Sequence, residues 1–360
     1  MGDVDLSRLV QTLWDYKGSD LLLTADAPPF VRVDGRMYPV SGEAPLPDHR
    51  IESIIASILM PTQREEFARS SDVDFSLAWL DKARLRGNAF RQRGMPALAL
   101  RVIPDLIPTF DELGLPESVR RLSELSQGLV LFTGPTGSGK STSQAAMIDW
   151  INHHRQCHIL TIEDPIEYVH NHSNSVVSQR EIGADSPSFE RALRSALRED
   201  PDVLLVGEMR DLESISMALT LAETGHLVIS TLHTNDAAQA LDRIIDVFPS
   251  ERQDQIRVQL AGSLAAVVAQ RLVPRIGGGM LAAFEVLTAT NAVRNLLREG
   301  KTRQLRNVMS TSAGDGMQTL EASLNQLVAS GLVSYDEAVS RALVPGELSR
   351  PFPPPVSYNR

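Results

Sequence analysis

The chain is short of cysteine, of long apolar runs and of excess positive charge, and each shortage removes a class of protein. Among 360 residues there is one cysteine, Cys157. One thiol builds neither a disulfide framework nor a four-thiolate zinc site. Its place in an apolar, strand-like run reads as a small buried hydrophobe. The longest apolar stretches, such as residues 260–268, are too short or too interrupted to span a bilayer. The opening Met-Gly-Asp-Val-Asp is acidic and lacks the pattern of a secretory signal. The chain is therefore expected to be cytoplasmic, with any membrane role peripheral and through a partner. Lysine and arginine number 35 against 45 acids, a formal net charge of −10. That balance counts against a general nucleic-acid binder, which needs a basic surface to neutralise phosphates. No internal repeat is present.

What is there begins at residue 134. Gly134, Pro135, Thr136, Gly137, Ser138, Gly139, Lys140, Ser141 and Thr142 match the spacing G-x-x-x-x-G-K-[ST]. An apolar run of strand length precedes the motif at 128–133, and a helix-length segment with an apolar face follows it to Ile151. Strand, glycine loop and helix in this order form a phosphate cradle. The glycines let backbone N–H groups converge on phosphate oxygens, and the helix start adds free donors and partial positive charge. Lys140 is expected to reach the β and γ phosphates of ATP, and Ser141 to hold Mg²⁺.

The chain divides by pattern. Residues 1–103 read as a small α+β domain: a helix at 6–17, strands at 20–24, 29–33 and 36–40 with an Asp34-Gly35 turn, helices at 51–60 and 62–69, and strands at 72–80, 83–91 and 97–103. Proline-bounded residues 104–117 read as a linker. Residues 118–290 alternate strands (129–133, 158–163, 203–207, 227–231) with helices (188–198, 211–223), the signature of a mostly parallel α/β sheet. A Gly277-Gly278-Gly279 turn joins two further strands. Residues 291–347 are helical, and the proline-rich 348–360 is expected to be disordered.

Three strand ends carry chemistry. The run Ile159-Leu-Thr-Ile-Glu163-Asp164-Pro165 puts two acids at the C-terminal edge of the sheet, where open α/β folds bind ligands. Glu163 is read as the catalytic acid that orients the attacking water; for Asp164, support of the loop weighs as much as chemistry. The run Asp202-Val-Leu-Leu-Val206-Gly207-Glu208 is of the Walker B type, with Glu208 beside Ser141 and Mg²⁺ and Gly207 allowing backbone to approach ligand. A fourth strand ends at Thr231-Leu-His233-Thr-Asn235. A lone histidine is usually structural, but His233 shares the strand-end position and is read as sensing the γ-phosphate. His226 precedes that strand and should lie at the opposite edge. In the first domain Arg84, Arg86, Arg91, Arg93 and Arg101 cluster on adjacent strands. They form either a solvated edge face or arginine fingers that offset charge on the transferred phosphoryl group.

These motifs together resemble the type IV pilus retraction ATPases, the twitching-motility motors of the secretion ATPase superfamily. Residues 161–167 are similar to that family's Asp box, 206–211 to its Walker B segment, and 225–235 to its His box. Asn291-Ala-Val-Arg-Asn-Leu-Leu-Arg-Glu299 resembles the C-terminal motif of the retraction branch. The resemblance implies a RecA-like P-loop ATPase domain preceded by a smaller PAS-like domain, assembled as a homohexamer. It implies ATP hydrolysis coupled to an inner-membrane pilus platform protein, with room for a second retraction ATPase as partner. It points to Arg86 and Arg101 as the fingers, in Arg86-Gly-Asn88 and Arg101-Val-Ile-Pro104. There are departures: Leu22 stands where the family has histidine, and Asn291 and Val293 where alanine and isoleucine are usual. The extension and type II secretion relatives usually carry C-x-x-C pairs after Gln270-Arg-Leu, which are missing here, and extra sequence ahead of the first domain, whereas this chain is expected to start at the PAS-like domain. Two other readings are a RecA-type nucleic-acid translocase, disfavoured by the acidic charge, and an ATP-binding scaffold that barely hydrolyses, disfavoured by the intact Lys140, Glu163 and Glu208.

Overall fold

The computed structural model describes residues 6–350 apart from 34, 80–82, 104–105 and 210. Asp34 of the expected hairpin turn, the first two residues of the expected linker, Arg210 of the Walker B segment and tail residues 351–360 lie outside the described residues. The chain forms two compact units, Met1–Leu106 and Ile107–Arg360.

The first unit runs α1 (Leu6–Asp15), β1 (Asp20–Thr24), β2 (Phe30–Val33), β3 (Arg36–Pro39), α2 (Asp48–Ile58), α3 (Pro61–Ser70), β4 (Asp72–Trp79), β5 (Ala83–Gln92) and β6 (Met95–Ile103). Its sheet has the order β3-β2-β1-β6-β5-β4, and every neighbouring pair is antiparallel. The helical spacing of α1 buries Leu9, Val10 and Leu13 against Leu21, Leu23 and Leu100 of the sheet and Ile51 and Ile55 of α2. A two-residue turn, Arg93-Gly94, joins β5 to β6; both residues have positive φ, the conformation that matches the twist of a tight hairpin.

The second unit opens with α4 (Phe110–Leu113) and α5 (Glu117–Leu122). Helix α4 falls inside the stretch expected to be a linker, residues 104–117, and α5 begins at its last residue, Glu117. Thr109 caps α4 with a capping box, and Phe110, Leu115 and Val119 are buried in the core of this unit. Local capping and three apolar anchors outweigh the flanking prolines. The chain continues β7 (Gly128–Thr133), α6 (Lys140–His154), β8 (His158–Glu163), β9 (Val176–Glu181), α7 (Phe189–Ala196), β10 (Val203–Val206), α8 (Leu212–Glu223) and β11 (Leu227–Leu232). Then come α9 (Ala237–Asp246), α10 (Ser250–Ser263), β12 (Leu264–Pro274), β13 (Met280–Thr288), α11 (Asn291–Arg298), α12 (Leu305–Thr311), α13 (Leu320–Ala329) and α14 (Tyr335–Arg341).

The seven-stranded sheet has the order β13-β12-β7-β11-β10-β8-β9. It is parallel except for the β12–β13 hairpin. Buried on both faces, β7 sends Leu129 and Leu131 to one core and Val130 and Phe132 to the other, the alternation a strand imposes. Helices α13 and α14 pack on the β12–β13 hairpin through Leu320, Leu324, Val328 and Ala338. Leu348, expected to begin a disordered tail, joins this last cluster at 8% exposure. The side chain of Asn325 also holds the Ser349 N–H at 2.9 Å, so local packing extends the ordered chain past the expected boundary.

Candidate active site

The order of the strands builds the site. The tips of β7, β11, β10 and β8 are successive neighbours: Thr133 pairs with Leu232, Ser230 with Val206, and Val206 with Ile162. Because these strands are parallel, the segments that leave them at 134, 233, 207 and 164 all emerge at one edge. The histidine-bearing strand lies between the glycine loop and the Walker B strand. Side chains lock the tips together. Thr133 Oγ1 donates to the Thr234 carbonyl at 2.8 Å and accepts the Thr234 N–H at 3.1 Å. Ser230 Oγ donates to the Val206 carbonyl at 2.9 Å, and the Thr231 hydroxyl donates to the Gly207 carbonyl.

The glycine loop is held from below by Gln270 of β12. Gly134 has φ +143°, and a Cβ there would lie 2.3 Å from the Gln270 carbonyl oxygen and 2.7 Å from Ser138 Oγ. Gly139, at φ +85°, would place a Cβ 2.8 Å from Gln270 Nε2. Gly134 excludes any side chain by its contact with backbone, whereas at Gly139 the positive φ strains one and the Gln270 amide would have to move. Gln270 Oε1 also accepts from Ser143 Oγ at 2.8 Å, which ties the first turn of α6 to β12. No side chain caps α6, so its leading N–H groups face the loop as donors. Ser138 Oγ is buried without a hydrogen-bond partner among the described residues. A cradle closed to side chains, with donors directed into it, fits a phosphate.

Lys140 is 6% exposed. Its Nζ donates to the Gly134 carbonyl at 2.9 Å and to the Pro135 carbonyl at 3.1 Å. Burial pulls its pKa below the ordinary lysine range, and the nearby carboxylates of Glu167 and Glu208 oppose that pull without reversing it. Glu208 is therefore close enough to act on Lys140 electrostatically. The Glu208 side chain is 12% exposed and its Oε2 lies 3.4 Å from Nε2 of His233, which is half exposed. Gly207 makes its close approach to the neighbouring strand: a Cβ there would lie 3.3 Å from the Ile162 carbonyl and 3.4 Å from Glu163 Cα.

Glu163 is buried, and burial is the main reason its pKa is raised above the ordinary glutamate range. Three donors partly offset this: Thr161 Oγ1 at 2.6 Å, Gln179 Nε2 at 3.3 Å and the Glu167 N–H at 3.4 Å. Asp164, by contrast, is exposed. His226 precedes β11 and is engaged locally, with Nδ1 2.9 Å from the Leu221 carbonyl.

The arginines belong to the first unit. Arg86 and Arg101 face each other across the β5–β6 ladder, both exposed. Arg101 pairs with Asp20 at 2.8 Å. Arg84 donates to Ser76 Oγ at 2.8 Å, and Arg91 pairs with Glu52 at 2.8 Å. Glu167, Tyr168, Gln179 and Gln270 also belong to the site, although no motif in the sequence assigns them a role. Glu167 carried a signal, since it closes the motif that begins at Thr161. Gln179 carries little, because it lies on an edge strand without an apolar run.

A further buried acid supports the histidine-bearing loop. Glu285 of β13 is 1% exposed, and its Oε1 accepts the Ala237 N–H at 2.8 Å, in the first turn of α9. Its Oε2 has no hydrogen-bond partner among the described residues. Burial, with Asp236 and Glu321 adding repulsion and Arg306 opposing it, pushes its pKa up to about 7. The folded state thus keeps a proton that the unfolded state loses from the ordinary glutamate range upward. Stability from this group is full below that range and falls as pH rises to about 7. Glu285→Gln should flatten this dependence and raise stability at pH 8 by an amount on the order of 2–3 kcal/mol. Denaturant melts of both proteins at low and high pH check it; parallel curves would remove Glu285 as the cause.

Residues 96–279 match the family described as type II/IV secretion system protein. Over 342 residues the chain is 47% identical to the type IV pilus retraction ATPase PilT of Pseudomonas aeruginosa, covering 95% of this chain and 99% of that protein. The chain belongs to the secretion ATPase family, in its PilT-type branch. A second member from the same organism, the type IV pilus ATPase PilU, is 42% identical, with 94% and 89% of the two chains covered. Among solved members of the family, the pilus retraction motor PilT with bound ADP superposes with a TM-score of 0.91 at 44% identity, covering 96% of this chain and 99% of that one. The Legionella pneumophila ATPase DotB superposes at 0.78 with 28% identity, covering 94% and 95%. The secretion ATPase fold, read from motifs in the sequence, is thus the fold of this chain.

Proposed function

We propose that this chain is a homohexameric ATP-hydrolysing motor that powers type IV pilus retraction and twitching motility. One observation carries the reading. A phosphate cradle and the strand tips bearing Glu163, Glu208 and His233 share one edge of a single sheet, in a chain that aligns over nearly its full length with a pilus retraction ATPase.

In this reading residues 134–142 bind the triphosphate of ATP, and Lys140 turns from the loop carbonyls to the phosphates. Mg²⁺ would be held by Ser141 and Glu208, a hydroxyl and a carboxylate suited to a hard cation, and supplies charge neutralisation at the phosphates. Glu163 orients the attacking water and accepts its proton, helped by a raised pKa that brings a buried carboxylate nearer the working pH. His233 senses the γ-phosphate through its contact with Glu208. Arg86 and Arg101 serve as arginine fingers. Among the described residues no helix is long and apolar enough to cross a membrane. In this reading the motor is cytoplasmic and reaches the inner membrane through the pilus platform protein, alone or with a second retraction ATPase, and binds no nucleic acid.

The test is a strain deleted for this gene. It should be non-twitching and carry excess surface pili, because extension continues without retraction. Wild type should restore motility and Glu163→Gln should not. Bald cells after deletion would mark an extension motor, and full rescue by Glu163→Gln would remove hydrolysis at Glu163 from the mechanism.

A further inference from the structure

We propose that Gln179 is the positioning residue that aims the Glu163 carboxylate and couples it to the phosphate loop. The inference rests on the reading of Glu163 as the group that handles the attacking water. Gln179 stands opposite Thr161 in the β8–β9 ladder. Its Nε2 donates to Glu163 Oε1 at 3.3 Å and to the Tyr168 carbonyl at 2.8 Å. Its Oε1 accepts the His170 N–H at 2.8 Å. A single amide therefore binds the carboxylate and both ends of a three-residue stretch of the loop after β8. The Tyr168 hydroxyl in turn meets the Thr142 hydroxyl of the phosphate loop at 2.9 Å.

The other donors to Glu163 cannot do this. Thr161 lies two residues back on the same strand, and the Glu167 N–H lies in the loop that follows it, so neither ties Glu163 to a second strand. Gln179 is the donor, among the described residues, that reaches Glu163 from a different strand. With two side-chain donors on Oε1 and a single long contact of 3.4 Å on Oε2, Oε2 is the oxygen left to take a proton from water. A carboxylate held in this way keeps its direction when the loop shifts, which general-base catalysis requires.

The test uses the full chain and two variants. Gln179→Met keeps length and loses all three bonds. Gln179→Glu is isosteric, keeps the acceptor for His170 and sets a second carboxylate against Glu163, so it stays informative even where the methionine variant fails to fold. Single-turnover ATP hydrolysis is followed from about pH 5 to 9, alongside ATP affinity and melting temperature. Removing a donor from a charged carboxylate disfavours the charged form, so the acidic limb of the rate profile should move up by about half a unit to one unit. The rate at neutral pH should fall roughly tenfold with ATP affinity within about twofold, and the glutamate variant should shift further. An unmoved limb with loss of affinity and melting temperature would reduce Gln179 to a structural role and overturn the proposal. Glu163→Gln is measured beside them. If it hydrolyses ATP normally, the reading of Glu163 falls; if it is inactive while both Gln179 variants match wild type, only the present proposal falls.

Discussion

Glu163→Gln should bind ATP with an affinity within a few-fold of wild type and hydrolyse it about 10²- to 10⁴-fold more slowly. The substitution keeps shape and removes the group that can accept a proton. The amide oxygen can still accept from Thr161 and Gln179, so the strand tip keeps its anchors. Stability should hold or rise near neutral pH. The native carboxylate is buried and its pKa is raised mainly by desolvation, so ionising it works against folding, and a neutral amide lifts that penalty. The same direction sets the pH dependence of the wild type. Hydrolysis that needs the charged form should fall on acidification from a pH above the ordinary glutamate range, and this limb should vanish from the residual activity of the variant. Phosphate release together with equilibrium nucleotide binding checks both halves. Unchanged turnover would take Glu163 out of the chemistry; lost binding would make it a structural residue.

Lys140→Ala should weaken nucleotide binding by about 3 kcal/mol, roughly 100-fold in Kd. The lysine bridges the carbonyls of Gly134 and Pro135 and stands near two carboxylates, Glu167 and Glu208. Without its ammonium, an incoming triphosphate meets those acids with one fewer positive group to offset them, and the charge-assisted bond to phosphate is gone. The loop itself should survive. Its shape is set by backbone: Gly134 is packed against the Gln270 carbonyl too closely for any side chain, and Gly134 and Gly139 both hold positive φ. The expected result is therefore a folded protein with a wild-type melting temperature and poor affinity for ATP and ADP alike. Calorimetric titration of both nucleotides measures it. Normal affinity would contradict the reading of residues 134–142 as a phosphate cradle.

Elements with strong local signals were legible. The helix α1 declares itself by Leu9, Val10 and Leu13 at helical spacing, and the four central strands by apolar runs that are buried on both faces. Helix α9 carries a clear signal too, with Asp236 capping it and Ala240, Leu241, Ile244 and Ile245 on one face. Strand β9 carried little: Val176-Val-Ser-Gln-Arg-Glu181 lies at the sheet edge and buries only Val177 and Glu181, so neither an apolar run nor a clean alternation marks it. Gln179 is therefore hidden at the level of sequence.

The phosphate loop, the acids that end two strands and the histidine that ends a third belong to the sequence alone, because each rests on contiguous residues whose spacing and flanking periodicity are local. So does family membership, since the motifs that carry it are short and unbroken. The order of the strands does not. That β11 lies between β7 and β10, that His233 comes to 3.4 Å from Glu208, and that a glutamine on an unforeseen edge strand reaches Glu163 are outcomes of long-range packing. Parallel strands pair through crossovers that spacing does not encode, and only when the sheet closes do residues far apart in the chain come within a hydrogen bond of one another.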